Sequence, residues 1–340
     1  MSLPSKVLIV RLGAIGDVVN ALTLAKALKA LPEPPHIGWV VHDLARPLVE
    51  DNPLVDRVHV WSRGSGLAGF RALTAELRAE GYGLAVDLQR LAKSALVARR
   101  SGAPRVLGWD RARSKEGSWL LVKERLAAGD PHDHMVRHYG AFATHLGAEP
   151  TDPRGVLRPG HEAEAWAAEL LAGTAPVVIN LGASKVPNRW PAERFGEVAA
   201  ALAAEGHPVV LAGGPADREA ATTALELATA GATPGSAEIR NLAGATSLPQ
   251  LAALLSRAAL FVGCDTGPMH MAVAMGCPVV VLFGPANPRR TGPFPGDAPG
   301  QRILQHLPVD GVGDQPWRAA RTDSITTQEV LAAARDLLSD

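Results

Sequence analysis

The chain of 340 residues is 47% hydrophobic and 20% charged, a composition that suits a soluble globular protein and a length that suits two cores rather than one. Its 34 Lys+Arg balance 34 Asp+Glu, which argues against a protein that grips nucleic acid with its overall charge. Its only cysteines, Cys264 and Cys277, lie in apolar stretches, which argues against a disulfide framework and for a reducing compartment.

Lys6–Val10 reads as a buried strand behind a short N-terminus with no signal-peptide pattern. Arg11-Leu12-Gly13-Ala14-Ile15-Gly16-Asp17 is a glycine turn, and Val18–Leu31 is a helix that Pro32 ends. The glycines are one short of the dinucleotide fingerprint, and no acidic residue fills the ribose-binding position about 20 residues on. Strands at Ile37–Val41, Val55–Trp61, Leu84–Leu88 and Arg105–Gly108 alternate with helices at Gly69–Glu80, Leu91–Arg100 and His134–Leu146, which predicts a parallel sheet with helical crossovers. Residues 147–161, rich in Gly and Pro, mark a domain boundary. The plan then repeats. Pro176–Leu181, Pro208–Ala212, Ala258–Val262 and Cys277–Phe283 read as strands, and Ala192–Ala204, Asp217–Ala230, Leu248–Ser256 and Met269–Met275 as helices. Residues 284–323 read as irregular, and the capping box Thr326-Thr327-Gln328-Glu329 opens a last helix, Val330–Leu338. No apolar run reaches membrane-spanning length without Gly or Pro, so the expected location is cytoplasmic.

The run Phe261-Val-Gly-Cys-Asp-Thr-Gly-Pro-Met-His-Met271 places a strand end against a helix start. Open backbone N–H groups at such a start attract an anion, typically phosphate. The loop after the next strand carries Arg289 and Arg290, so two strand ends, one helix start and two cations are expected to converge on one anionic ligand.

The opening turn 11–17, the run Asp265-Thr266-Gly267-Pro268-Met269-His270, the segment Phe283-Gly284-Pro285 and Arg189-Trp190-Pro191-Ala192-Glu193-Arg194-Phe195 together resemble glycosyltransferase family 9, the lipopolysaccharide heptosyltransferases. The resemblance implies an α/β GT-B fold, with two Rossmann-like parallel-sheet domains facing across a cleft. Residues 1–155 would form the acceptor-side domain, 156–323 the nucleotide-sugar domain, and 324–340 a C-terminal helix able to return to the first domain. It implies inverting transfer without an essential metal or cofactor, from a nucleotide-activated donor, usually ADP-heptose, to an anionic lipopolysaccharide inner-core acceptor. Such an acceptor adds an expected peripheral contact with the inner face of the cytoplasmic membrane. In one departure, Asn188 stands where the family's motif has a lysine that touches the donor phosphates.

Each candidate has a plainer reading beside its functional one. Asp17 at a helix start is an N-cap or a base, and the resemblance implies the general base that takes the acceptor hydroxyl's proton. Gly13 and Gly16 are assigned to close backbone approach at the donor phosphates. Asp265 is read as accepting from sugar hydroxyls, Thr266 and Gly267 as donating to the diphosphate, and His270 as a phosphate donor or a cap. Ser184, Lys185 and Arg189 follow a strand end, where ligands bind in α/β folds; they either steady the leaving diphosphate or form a solvated loop. Trp190 reads as packing rather than base stacking. His134 and His138 have a workable zinc spacing but no third ligand at a motif spacing, so acceptor contact or a solvated face is preferred and no metal is assigned. Residues 90–125 hold ten Lys+Arg against three Asp+Glu, and Arg99 and Arg100 are the acceptor candidates within them. Two rivals stay open on the same fold: a nucleotide-sugar epimerase and a catalytically silent nucleotide-sugar binding protein.

Overall fold

The computed structural model describes residues 3–183, 186–230, 234–308 and 315–339. It divides into two compact units, Met1–Arg158 and Pro159–Asp340.

Unit one is built on β1 (Lys6–Val10), β2 (His36–Val41), β3 (Arg57–Val60), β4 (Leu84–Asp87), β5 (Arg105–Gly108) and β6 (Glu124–Arg125), in the order β3-β2-β1-β4-β5-β6. Its helices are α1 (Ile15–Lys29), α2 (Gly66–Glu80), α3 (Ala92–Arg100) and α4 (Met135–His145). Unit two holds β7 (Val177–Asn180), β8 (Val209–Ala212), β9 (Ile239–Asn241), β10 (Leu260–Cys264), β11 (Val279–Leu282) and β12 (Gln301–Leu304), in the order β12-β11-β10-β7-β8-β9. Its helices are α5 (His161–Leu171), α6 (Ala192–Ala204), α7 (Arg218–Ala230), α8 (Leu248–Leu255), α9 (Gly267–Met275), α10 (Pro288–Thr291) and α11 (Thr327–Leu338). Every strand pairing is parallel.

The central strands are continuous apolar runs because helices cover both faces of a parallel sheet. Val7, Leu8, Ile9 and Val10 of β1, and Leu260, Phe261 and Val262 of β10, are fully buried. Strand order reverses between β1 and β4 in unit one and between β7 and β10 in unit two. In open α/β sheets the crevice at that reversal, at the carboxyl ends of the strands, is where ligands bind. Asp87 ends β4 beside β1, and Asn180 ends β7 beside β10, so the two switch points fix where each unit's site must lie.

β6, β9, β12 and α5 were not anticipated from the sequence. β9 and β12 are edge strands of three and four residues with no fully buried position, so they lack the apolar run that marked the central strands. The buried side of α5 is mainly alanine, Ala163 and Ala167 with Leu171, which gives a weak apolar stripe. α11 buries Val330, Ala334 and Leu337 in the core of unit two, rather than offering that face to the first domain as the sequence reading had allowed.

Candidate active site

In unit one the chain leaves β1 through Arg11, Leu12, Gly13 and Ala14 and enters α1 at Ile15. The N-cap is Ala14, which makes no side-chain cap. Asp17 is therefore not the cap; it is the third helical residue, and its Oδ2 is ion-paired with Arg11 Nη2. The Arg11 side chain is 4% exposed and that of Asp17 is 37% exposed. Arg11 Nη1 donates to the Leu88 carbonyl at 2.8 Å, and the Leu12 amide donates to Gln89 Oε1 at 3.0 Å. The loop after β4 thus clamps the turn after β1.

Asp87 lies wholly buried beside this pair, and its Oδ2 has no partner among the described residues. Burial pushes its carboxyl up to about 6, against opposing pulls from Ser94, the Gln89 amide and Arg11. For Arg11, burial alone would lower the guanidinium, but Asp17, Tyr139 and Asp87 outweigh it and the net direction is upward.

Beside the turn lies a cleft of about 450 Å³ lined by Leu12–Ala14, His42, Trp61–Gly66, Gln89 and Lys93. These segments follow β1, β2, β3 and β4, so the cleft sits on the carboxyl edge of the sheet. Arg63 and Lys93 are exposed there, and neither has a carboxylate partner among the described residues. His42 Nδ1 bonds the Trp61 carbonyl, which makes Nδ1 the protonated nitrogen. Burial lowers His42 below the ordinary imidazole value, with Lys93 and Arg63 pushing the same way and the Trp61 carbonyl and Asp43 opposing. His42, Arg63 and Lys93 were missed from the sequence. The available signal was positional: each follows the carboxyl end of a strand of the first sheet.

Several expected site residues lie elsewhere. Arg99 and Arg100 end α3, whose first turn carries Lys93. A crossover helix between parallel strands runs back along the sheet, so these arginines stand at the opposite edge from the cleft and are not placed for its ligand. His134 is 5% exposed and caps α4, accepting from the Val136 amide at 3.1 Å. His138 is 2% exposed, lies 3.3 Å from Arg113 Nη1 and stands edge-on to Trp109. Both histidines are built into the interior and do not offer an acceptor face. Among the described residues no group of three His, Cys, Asp or Glu is placed to hold a metal. Gly16 is buried within the first turn of α1. Gly13 does line the cleft.

In unit two β10 ends at Cys264, Thr266 takes the N-cap position and α9 begins at Gly267 with Pro268 in its first turn. Thr266 makes no side-chain cap; its hydroxyl donates to the Cys264 carbonyl at 3.3 Å. The amides at the start of α9 are therefore not satisfied by a capping side chain, and they carry the partial positive charge that favours an anion. A Cβ at Gly263 would lie 2.9 Å from the Phe261 ring and 3.1 Å from the Asn180 carbonyl, so glycine is what lets β7 and β10 approach at the switch point. Asp265 Oδ2 accepts from Thr291 Oγ1 at 3.2 Å, which joins the loop after β10 to α10, the helix that carries Arg289 and Arg290. These two loops are thus in contact. His270 lies partly exposed in the first turns of α9.

Ser184 and Lys185 lie outside the described residues. Arg189 Nε donates to the Ala183 carbonyl at 3.1 Å, holding it in the loop that follows β7, and Asn188 ends a short 3-10 turn there. Trp190 is 3% exposed, donates Nε1 to the Ile325 carbonyl at 3.0 Å and stands edge-on to Phe195. It packs the interior, as its sequence context suggested. Cys264 and Cys277 are buried, and burial pushes each thiol up to about 12, which leaves them chemically inert.

Comparison with known proteins agrees with this arrangement. The family model described as glycosyltransferase family 9 (heptosyltransferase) matches residues 70–304. Lipopolysaccharide heptosyltransferase 2 of Salmonella typhimurium is 31% identical over 98% of this chain and 99% of its own. Lipopolysaccharide core heptosyltransferase OpsX of Haemophilus influenzae is 27% identical over 86% of this chain and 82% of its own. The solved structure of E. coli ADP-heptose lipopolysaccharide heptosyltransferase II superposes with a TM-score of 0.79 at 27% identity, covering 98% of each chain. The two six-stranded parallel sheets are those of the GT-B class, and this chain belongs to glycosyltransferase family 9, the heptosyltransferases.

Proposed function

We propose that this enzyme transfers a heptose, or a closely related sugar, from an ADP-activated donor to an anionic lipopolysaccharide inner-core acceptor, with inversion at the anomeric carbon. The observation that carries the acceptor half is the cleft against the Leu12–Ala14 turn that leads into α1 and Asp17, with two cations, Arg63 and Lys93, that have no carboxylate partner among the described residues. Asp17 takes the proton of the acceptor hydroxyl as its oxygen bonds the anomeric carbon, and the bond from that carbon to the diphosphate breaks. The transition state has oxocarbenium character. The donor half belongs to unit two. The α9 amides at Thr266 and Gly267, with His270 and Arg189, receive the diphosphate, and Asp265 accepts from sugar hydroxyls. Fixed cations and amide dipoles aimed at the leaving diphosphate do the work that a divalent ion does elsewhere. Complexes of structurally similar enzymes with ADP-D-beta-D-heptose and with ADP-2-deoxy-2-fluoro heptose support the donor assignment.

The donor class is tested by transfer to a deacylated inner-core oligosaccharide in excess chelator, offering ADP-heptose, UDP-glucose or GDP-mannose. Turnover is expected with ADP-heptose alone and unchanged by chelator. Complete loss that magnesium or manganese restores would overturn the metal-free mechanism, and turnover with UDP- or GDP-sugars would overturn the donor. Product formed without any acceptor would instead favour the epimerase reading.

The acceptor site has its own test. Arg63→Glu with Lys93→Glu should raise the acceptor KM about tenfold or more while donor affinity stays within about twofold, because these charges meet only the acceptor. The wild-type acceptor KM should rise with added salt, since exposed charges are screened over about 10 Å at 0.1 M. Arg99→Glu with Arg100→Glu is the control and should leave KM unchanged. Equal effects from both pairs would move the acceptor away from the cleft. A peripheral membrane contact follows from the glycolipid acceptor; among the described residues no helix is long and apolar enough to span a bilayer.

A further inference from the structure

We propose that Arg11 is a positioning residue for the base: it holds Oδ2 of Asp17 so that Oδ1 meets the acceptor hydroxyl. This inference rests on the reading of Asp17 as the general base.

Three observations meet here. First, the guanidinium is placed where a purely structural arginine gains little. Burying such a charge is costly, and α1 does not use Asp17 as its N-cap. Yet the Arg11 side chain is 4% exposed and reaches Asp17 on the helix's first turn. Second, Arg11 is held from both sides. Nη1 donates to the Leu88 carbonyl at 2.8 Å, and the Arg11 carbonyl accepts from Trp39 Nε1 at 3.1 Å. The guanidinium is therefore fixed by the sheet, and it fixes the carboxylate in turn. Third, Asp17 keeps one oxygen open: Oδ1 has no protein partner among the described residues, and the side chain is 37% exposed.

A base must lose its negative charge as it takes the proton, so the cation that orients the carboxylate also tunes it. The groups acting on the Arg11 guanidinium are Asp17 on α1, Tyr139 on α4 and the buried Asp87 on β4, whose Oδ1 accepts from the Gln89 amide at 3.1 Å.

The test is the kcat–pH profile with saturating ADP-heptose and the deacylated inner-core oligosaccharide. Arg11→Met should lower kcat about 100-fold at pH 7.5, the scale of a misplaced catalytic group, with acceptor KM and ADP affinity within about threefold. Its acid limb should move up by about one pH unit. Arg11→Lys keeps the charge and should recover kcat to within about tenfold of wild type. Arg11→Lys should also return the acid limb toward its wild-type position, because the charge opposite Asp17 is kept. A purely structural pair would lower stability without moving the limb. A folded Arg11→Met with kcat within threefold of wild type and an unmoved limb would overturn the proposal. If Arg11→Met does not fold, Arg11→Gln decides: a folded Arg11→Gln with kcat within threefold of wild type and an unmoved limb overturns it. The underlying reading fails separately, if Asp17→Asn keeps its kcat.

Discussion

Asp17→Asn is expected to reduce kcat by about 10²–10⁴-fold, the range over which a general base accelerates proton transfer. The usual objection, that the residue caps a helix, does not apply, because Ala14 holds the N-cap position and makes no side-chain cap. What Asp17 does structurally is pair with Arg11. Asparagine has the same shape and its amide oxygen can still accept from Nη2, but it carries no charge and cannot take a proton. Losing the charge opposite a buried guanidinium should cost on the order of 1 kcal/mol, since Asp17 is 37% exposed and water offsets part of the loss. A folded variant with normal ADP binding, a slightly lower Tm and almost no turnover is the expected outcome. The measurements are kcat, ADP affinity and Tm on the same preparation. Near-normal kcat would reduce Asp17 to an ion-pair partner and remove the mechanism.

Trp190→Ala should produce the largest loss of stability. The indole is 3% exposed and packs edge-on against Phe195 at 4.8 Å between centroids. Truncating a buried Trp costs about 3–5 kcal/mol. It also leaves the Ile325 carbonyl without the indole N–H that now donates at 3.0 Å. For a unit of this size that corresponds to a Tm lower by roughly 6–20 °C. Because the ring points into the core of unit two, ADP affinity measured well below Tm should stay within about threefold. A large loss of ADP affinity at unchanged Tm would mean that the indole stacks on the base instead. Calorimetry with a parallel ADP titration separates the two.

Neighbours along the chain part company at the acceptor cleft. Residues 90–125 are basic as a run, but a nine-residue helix carries Lys93 and Arg99–Arg100 to opposite ends of one sheet. Only the first end lies on the ligand edge. The same applies to His134 and His138, whose helical spacing suggested a shared outward face. Instead one caps its helix and the other packs against Trp109 and Arg113.

The sequence by itself determined the alternation of strands and helices, the place of the domain boundary, the glycine turn at Asp17 and the strand-to-helix junction at Cys264–Gly267. These are local features: apolar runs, turn residues and helix starts act over a few neighbouring positions, so they can be read in order along the chain. It also carried the family, because the motifs that define it are contiguous. Only the tertiary structure decided which loops share an edge. Strand order 3-2-1-4 brings residues after β1 and β4 together although about 75 positions separate them, and from that come the Arg11–Asp17–Asp87 cluster and the cleft of His42, Arg63 and Lys93. Burial was decided there too: whether a charged or polar side chain meets solvent depends on what the sheet and its covering helices bring against it, and single-chain order does not encode that packing.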